Sequence, residues 1–314
     1  MSSKFSVVVT DQVFPTVDLE RAKLEEIGAS LTVASGTRDE VLAAAADADA
    51  LLNTYFSFDD DALSRLGRCR IIARYGIGVD NIDLEAAKSR GIIVTNVPDY
   101  CVDEVAAHTT AMILSLLRRL PEGQEVLLKG GWGVNELRPM KRMSDVTVGL
   151  VGLGRIGRAT AAMLSGTGVR IIGSDPYVTD VDGIEVVDFE TVLTTSDVVS
   201  LHSPLTPETR GMIGAAELSR MQQDAVLVNA SRGPLVVLAD LIDALRSRTI
   251  RAAGLDVFEV EPPDPEQLRG VPGLLATPHS AFYSEAALVE SQTKAVTQII
   301  NVLTGQPPIY QVNA

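Results

Sequence analysis

Short apolar, β-branched runs alternate with helix-period segments along almost the whole chain. In the first third, strands are predicted at Phe5–Thr10, around Leu31–Val33, and at Ala50–Asn53, Arg70–Arg74 and Ile92–Thr95. Helical segments fall between them, at about Asp18–Ile27, Arg38–Ala46, Asp59–Leu66 and Asp83–Arg90. Five strands joined by helical crossovers predict an open parallel sheet covered on both faces. A long amphipathic helix follows, in which Val102, Val105, Ala106, Thr109, Met112, Ile113, Leu116 and Leu117 recur at three- and four-residue spacing and bury one stripe. His108 lies on that helix and reads as a packing histidine. The glycine-rich, basic and aperiodic stretch Gly130–Asp145 reads as a connector. A second alternating series then predicts strands at Thr147–Val151, Val169–Gly173, Val198–Leu201, Ala225–Asn229, Ala252–Leu255 and Gly273–Ala276. About six strands is the count of a dinucleotide-binding doubly wound domain. One more helix, from about Ser284 to Thr304, comes after that sheet is complete.

At roughly 150 residues per domain, 314 residues suggest two domains. The net charge of −14 makes nucleic acid and anionic membrane surfaces poor partners. Small anionic substrates stay open, because a local pocket field can oppose the global one. Cys69 and Cys101 are the only cysteines and form no Cys-x-x-Cys pair, which points to a reducing compartment without a disulfide framework or zinc site. The opening residues lack a signal-peptide pattern, and no apolar run reaches the ~18 residues of a membrane span. A cytoplasmic protein is expected.

The first candidate chemistry is the turn Gly152-Leu153-Gly154-Arg155-Ile156-Gly157. It follows the apolar run Val146–Val151 and opens a helix through Arg158-Ala159-Thr160-Ala161-Ala162. In that context Gly152 permits the tight turn, Gly154 lets backbone approach a pyrophosphate, and Gly157 lets helix and strand pack closely. The helix N-terminus offers unpaired N–H groups and a positive dipole end to the phosphates. The next predicted strand leads into Asp175, about 20 residues on, where a carboxylate accepts hydrogen bonds from ribose hydroxyls. It would repel a 2′-phosphate, and Pro176-Tyr177 brings no cation to receive one, so NAD is favoured over NADP.

From here the sequence resembles the D-isomer-specific 2-hydroxyacid dehydrogenases over nearly its full length. The resemblance is carried, in family order, by Arg74-Tyr75-Gly76-Ile77-Gly78-Val79-Asp80-Asn81-Ile82-Asp83, the glycine turn, and His202-Ser203-Pro204-Leu205-Thr206-Pro207-Glu208-Thr209. Asn229-Ala230-Ser231-Arg232-Gly233, Asp256-Val257-Phe258-Glu259-Val260-Glu261-Pro262 and Thr277-Pro278-His279 follow. It implies Arg232, Glu261 and His279 as the catalytic set, and the chemistry suits those residue types. A planar guanidinium can hold carboxylate and carbonyl oxygens together. A histidine titrates near neutral pH and exchanges the proton, while a glutamate on its far ring nitrogen fixes the tautomer and favours the imidazolium. NADH would supply the hydride. The resemblance also implies cofactor contacts from Arg155, Ile156, Thr209, Ala230, Ser231 and Asp256, the last on the nicotinamide side. Gly76, Ile77 and Gly78 would form an anion-binding nest for a carboxylate, and Tyr55 would wall the substrate pocket. His202 reads as structural.

Two departures stand out. Val237-Leu238 replace the acidic pair usual after the hydrophobic residue in relatives, which weakens the cap of the following helix. The run Ser280-Ala281-Phe282-Tyr283-Ser284-Glu285 is similar to the C-terminal-binding-protein branch, with Phe282 where that branch has Trp. The resemblance implies an α/β architecture of two doubly wound parallel-sheet domains. In it a Rossmann NAD-binding domain, 102–283, is inserted into a flavodoxin-like substrate domain, 1–101 and 284–314, with the substrate in the cleft. The long helix and the Trp132 connector would be homodimer contacts. The function expected is NAD-dependent interconversion of a small 2-hydroxy acid and its 2-oxo acid. A phosphoglycerate dehydrogenase and an NADH-sensing regulatory protein are the alternatives.

Overall fold

The structure, a computed structural model, describes residues 3–314. It divides into two compact units, one running up to Tyr100 and resuming over Ser284–Ala314, the other Cys101–Tyr283.

The first unit alternates β1 (Phe5–Val9), α1 (Asp18–Glu25), β2 (Ala29–Val33), α2 (Arg38–Ala45), β3 (Ala50–Asn53), α3 (Asp60–Ser64), β4 (Ile71–Arg74), α4 (Leu84–Ser89) and β5 (Ile93–Thr95). All neighbours pair parallel, in the order β2-β1-β3-β4-β5. Such a sheet is covered on both faces, so β3 and β4 are buried at every position and read as short continuous apolar runs rather than alternating ones. Helix starts follow local chemistry. Thr37 and Glu40 form a reciprocal capping box on α2, and Asp59 and Asp83 accept from the third N–H of α3 and α4.

The second unit opens with α5 (Val102–Leu117) and α6 (Leu120–Leu128). Most of the predicted stripe of α5 is buried, including Val105, Ala106, Met112, Ile113 and Leu116. It lies on β10 and β11, where Met112 and Leu116 come against Gly254. Helix α6 goes beyond the predicted elements, because none of its residues is buried and no apolar stripe marks it; Pro121 in its first turn is the local signal. The connector carries two 3-10 turns, Asn135–Leu137 and Met143–Asp145.

Then come β6 (Thr147–Val151), α7 (Arg155–Ser165), β7 (Arg170–Ser174), β8 (Glu185–Val186), α8 (Phe189–Thr195), β9 (Val198–Leu201), α9 (Ala215–Arg220), β10 (Val226–Asn229), α10 (Leu238–Arg246), β11 (Ala252–Leu255), α11 (Pro265–Leu268) and β12 (Leu274–Ala276). The sheet is parallel throughout, ordered β12-β11-β10-β9-β6-β7-β8. It has seven strands where about six are predicted. The addition is β8, a two-residue edge strand too short to leave a hydrophobic pattern. The order reverses between β6 and β9, which makes the carboxyl ends of those strands the place where a doubly wound sheet binds ligands. Finally α12 (Glu285–Leu303), capped by Ser284, packs on α1, β3 and β4 of the first unit.

Among the described residues, no helix is long and apolar enough to cross a membrane. Cys69 and Cys101 are both buried.

Candidate active site

The glycine turn stands at the reversal point of the second sheet. Gly152 has φ +103°, and a Cβ there would lie 2.7 Å from the His202 carbonyl carbon and oxygen, just past β9. A Cβ on Gly157 would run into the Gly152 carbonyl oxygen. Packing therefore demands glycine at both positions. Gly154 differs: a Cβ there meets nothing within 4 Å, so its glycine answers to something other than the protein's own packing. It is the N-cap of α7, with no side-chain cap and no acidic residue in the first turn. Exposed Arg155 and half-buried Ile156 begin that helix. An uncapped, open helix start with an adjoining arginine fits a pyrophosphate.

Asp175, one residue past β7, accepts from Leu153 N–H at 2.8 Å and from Tyr177 N–H at 2.9 Å. It braces the glycine turn, a role the sequence pattern did not reveal. Each oxygen keeps a second acceptor position for a ribose hydroxyl. His202 donates its backbone N–H to Val151 O and pairs its ring with Ser200 Oγ at 3.0 Å. Burial pushes that imidazole down to about 4, so it is neutral over the physiological range. Thr209 closes its own loop, donating to Pro204 O at 2.7 Å and accepting from Thr206 N–H at 2.8 Å.

The next group grows from the end of β10. Buried Asn229 clamps the segment after it, accepting from Ser231 N–H at 3.0 Å and donating to Arg232 O at 2.8 Å. Ser231 Oγ donates to Leu201 O at 2.7 Å, and half-buried Ala230 lies between the two. The Arg232 guanidinium donates to Ser231 O at 2.7 Å. A Cβ on Gly233 would overlap the Phe258 carbonyl, so this glycine lets the Arg232 segment pass directly beside the loop that bears Glu261.

In that loop, Glu261 Oε1 accepts from Phe258 N–H at 3.0 Å, and Oε2 lies 2.6 Å from His279 Nδ1. Burial raises the Glu261 carboxyl. The hydrogen bonds from His279 and Phe258, with the charges of His279 and Arg232, outweigh burial and hold it below its ordinary value. Each side chain of the pair is about 30% exposed (His279 29%, Glu261 31%), so the pair meets solvent and ligands. The Phe282 ring stands edge-on to the imidazole, with centroids 6.0 Å apart.

Asp256, at the end of β11, is fully buried. Its carboxylate accepts from Thr277 Oγ1 at 2.5 Å and from Ser280 and Ala281 N–H at 2.9 Å each. It anchors the turn that carries His279. His108, expected to pack on this helix, is half-buried, and the structure adds its partners: Nε2 lies 3.1 Å from Thr277 Oγ1 and 3.7 Å from Asp256 Oδ1. A lone histidine on an apolar helix gives no sign of such a partner, because Thr277 is far away in sequence.

In the first unit, Gly76-Ile77-Gly78 follows β4. Gly76 O accepts from Val97 N–H at 3.1 Å and Ile77 O from Asn96 Nδ2 at 2.6 Å, which fixes the segment. A Cβ on Gly76 would strike the Arg74 guanidinium. Tyr55 lines a cavity of about 720 Å³ with Thr10–Val13, Val33–Gly36 and Arg38, at the carboxyl ends of β1, β2 and β3. Gly76–Gly78 are not part of its lining.

Residues 110–281 match the family model described as D-isomer specific 2-hydroxyacid dehydrogenase, NAD binding domain. The chain belongs to this family. It is 38% identical over 265 residues to the glyoxylate reductase of Thermococcus litoralis, covering 81% of this chain and 80% of that one. It is 37% identical over 290 residues to the D-3-phosphoglycerate dehydrogenase of Methanocaldococcus jannaschii, covering 90% of this chain. There it spans about half the length of the relative, 55%. Among solved structures, D-lactate dehydrogenase from Aquifex aeolicus, complexed with NAD and lactic acid, superposes with a TM-score of 0.87 at 26% identity, covering 96% of each chain. Gly152, Gly154 and Gly157 fall within the stretch that matches the family's NAD-binding domain, and Arg232, Glu261 and His279 lie in the same unit.

Proposed function

We propose that this chain is an NAD-dependent dehydrogenase that interconverts a small 2-oxo acid and its D-2-hydroxy acid. The observation that carries the reading is the 2.6 Å pair of His279 and Glu261 in a loop packed against the Arg232 segment. Arg232 receives the substrate carboxylate in its planar fork. Glu261 holds the Nδ1–H of His279 and stabilises the imidazolium, leaving Nε2 to give a proton to the carbonyl oxygen in reduction and to take it back in oxidation. Bound at the Gly152–Gly157 turn, NADH would supply the hydride. Arg155, Ile156, Thr209, Ala230, Ser231 and Asp256 are the further cofactor contacts in this reading, and Asp175 excludes a 2′-phosphate by charge. Residues 102–283 then act as the cofactor domain and 1–101 with 284–314 as the substrate domain. There Gly76–Gly78 offer backbone N–H groups to the substrate and Tyr55 limits its size.

The test is NADH oxidation with glyoxylate, hydroxypyruvate, pyruvate, phenylpyruvate and 3-phosphohydroxypyruvate, repeated with NADPH. Turnover with NADH above NADPH is expected. His279→Ala should lose on the order of 10² or more in kcat. Parental turnover in that variant would sink the mechanism. The T. litoralis relative favours a small substrate such as glyoxylate; a phosphorylated acid as best substrate would favour the phosphoglycerate dehydrogenase reading, to which the M. jannaschii relative points. A homodimer, in the cytoplasm, completes the proposal. Its support is the apolar surface left at Leu120, Leu127, Leu128, Trp132 and Val134, each at least 56% exposed.

A further inference from the structure

We infer that His108 is a positioning residue for His279, acting through Thr277 and Asp256. The inference rests on the reading of His279 as the proton donor. His279 has φ +52°, a left-handed backbone that an L-residue adopts only when its surroundings impose it. Those surroundings are one carboxylate and its neighbours. Asp256 O accepts from His279 N–H at 2.8 Å, while the side-chain oxygens take Ser280 N–H, Ala281 N–H and the Thr277 hydroxyl.

Proton accounting extends the clasp by one member. A carboxylate has no proton to give and a hydroxyl has one. Thr277 spends its proton on Asp256, so its oxygen can only accept, and His108 Nε2, 3.1 Å away, must be the donor. That fixes the protonated nitrogen of His108, and the same N–H edge faces Asp256 Oδ1 at 3.7 Å. His108 sits on α5, which its buried stripe fastens to β10 and β11. It therefore ties the Thr277 end of the clasp to a helix packed on the sheet. Without that tie the Thr277 hydroxyl keeps only its bond to Asp256, and the turn that aims the His279 imidazole loses one of its fixed points.

Two measurements test this. His108→Leu should lower kcat about tenfold, with little change in the KM for NADH or in Tm, as for a misaimed proton donor. His108→Gln, whose amide N–H can reach Thr277, should restore most of the loss. In a Thr277→Val background, Leu and Gln at position 108 should be equivalent. Parental kcat in His108→Leu, a Gln variant no better than Leu, or additive losses with Thr277→Val would each overturn the inference.

The second measurement does not depend on turnover. The chain has three histidines, His108, His202 and His279, so 15N-labelled imidazole spectra are sparse. At mildly alkaline pH, where an ordinary imidazole is neutral, His108 should be the Nε2–H tautomer. His108→Leu should move the His279 titration and leave His202 unchanged. A His108 protonated only at Nδ1, or a His279 titration that does not move, overturns the clasp. If the parent turns over none of the 2-oxo acids, the proton-donor reading fails, and these spectra still decide the clasp.

Discussion

Glu261 uses its two oxygens for different ends, one to hold the loop through Phe258 N–H and one to face His279 Nδ1. Because its carboxyl is held below the ordinary value, it stays ionised into mildly acidic solution. The stability it contributes is present above the unfolded carboxyl pKa and is lost as pH falls through the lower folded one. Glu261→Gln keeps the shape and removes the charge. Reduction should fall by about 10²-fold, and the pH limb of kcat/KM should move to lower pH, because the imidazolium that donates the proton loses its counter-charge. An unmoved limb would mean that Glu261 does not act on His279. At this scale the resemblance made Arg232, Glu261 and His279 legible as a set. The brace from Asp175 to Leu153 and the clasp through Asp256 were not legible, since each depends on which backbone N–H groups the folded loops present.

Among elements, the three glycines of the cofactor turn divide by what surrounds them. Gly157→Ala would press a methyl into the Gly152 carbonyl and should destabilise by about 1–3 kcal/mol. Gly154→Ala places its methyl in open space, with φ −72° that alanine tolerates. It should leave Tm unchanged and weaken NADH binding. Thermal unfolding and NADH titration of the two variants separate the effects; equal Tm losses would show that both glycines serve packing alone. Helix α10 starts as the Val237-Leu238 departure predicts, with no side-chain cap from Val237. The structure adds that Glu259 reaches its Leu238 N–H at 3.3 Å, a substitute cap from a distant loop. The periodic stripe of α5 and the continuous apolar runs of β3 and β6 were plain in the pattern. β8 and α6 were not, because a two-residue edge strand and a helix without buried residues leave no periodic trace.

For the molecule as a whole, the exposed apolar groups of α6 and the connector are its least explained surface. Trp132 is 90% exposed and Leu128 79%. If they meet a second copy, size-exclusion chromatography with light scattering should give twice the chain mass, and Leu128→Glu with Trp132→Glu should give the chain mass. A monomeric parent would remove the dimer from the proposal.

The sequence by itself determined two parallel doubly wound sheets, since continuous apolar strands between helical crossovers leave few other arrangements. Its glycine spacing also determined a tight strand-to-helix turn at Gly152–Gly157, because that geometry is local. Only the tertiary structure decided what braces the site. Asp256, Thr277 and His108 come from three different elements, and their hydrogen bonds exist only once β11, β12 and α5 stand side by side. The same holds for Gly233, whose missing side chain matters solely because Phe258 passes there. Local patterns fix local backbone; contacts between distant segments need the fold that brings them together.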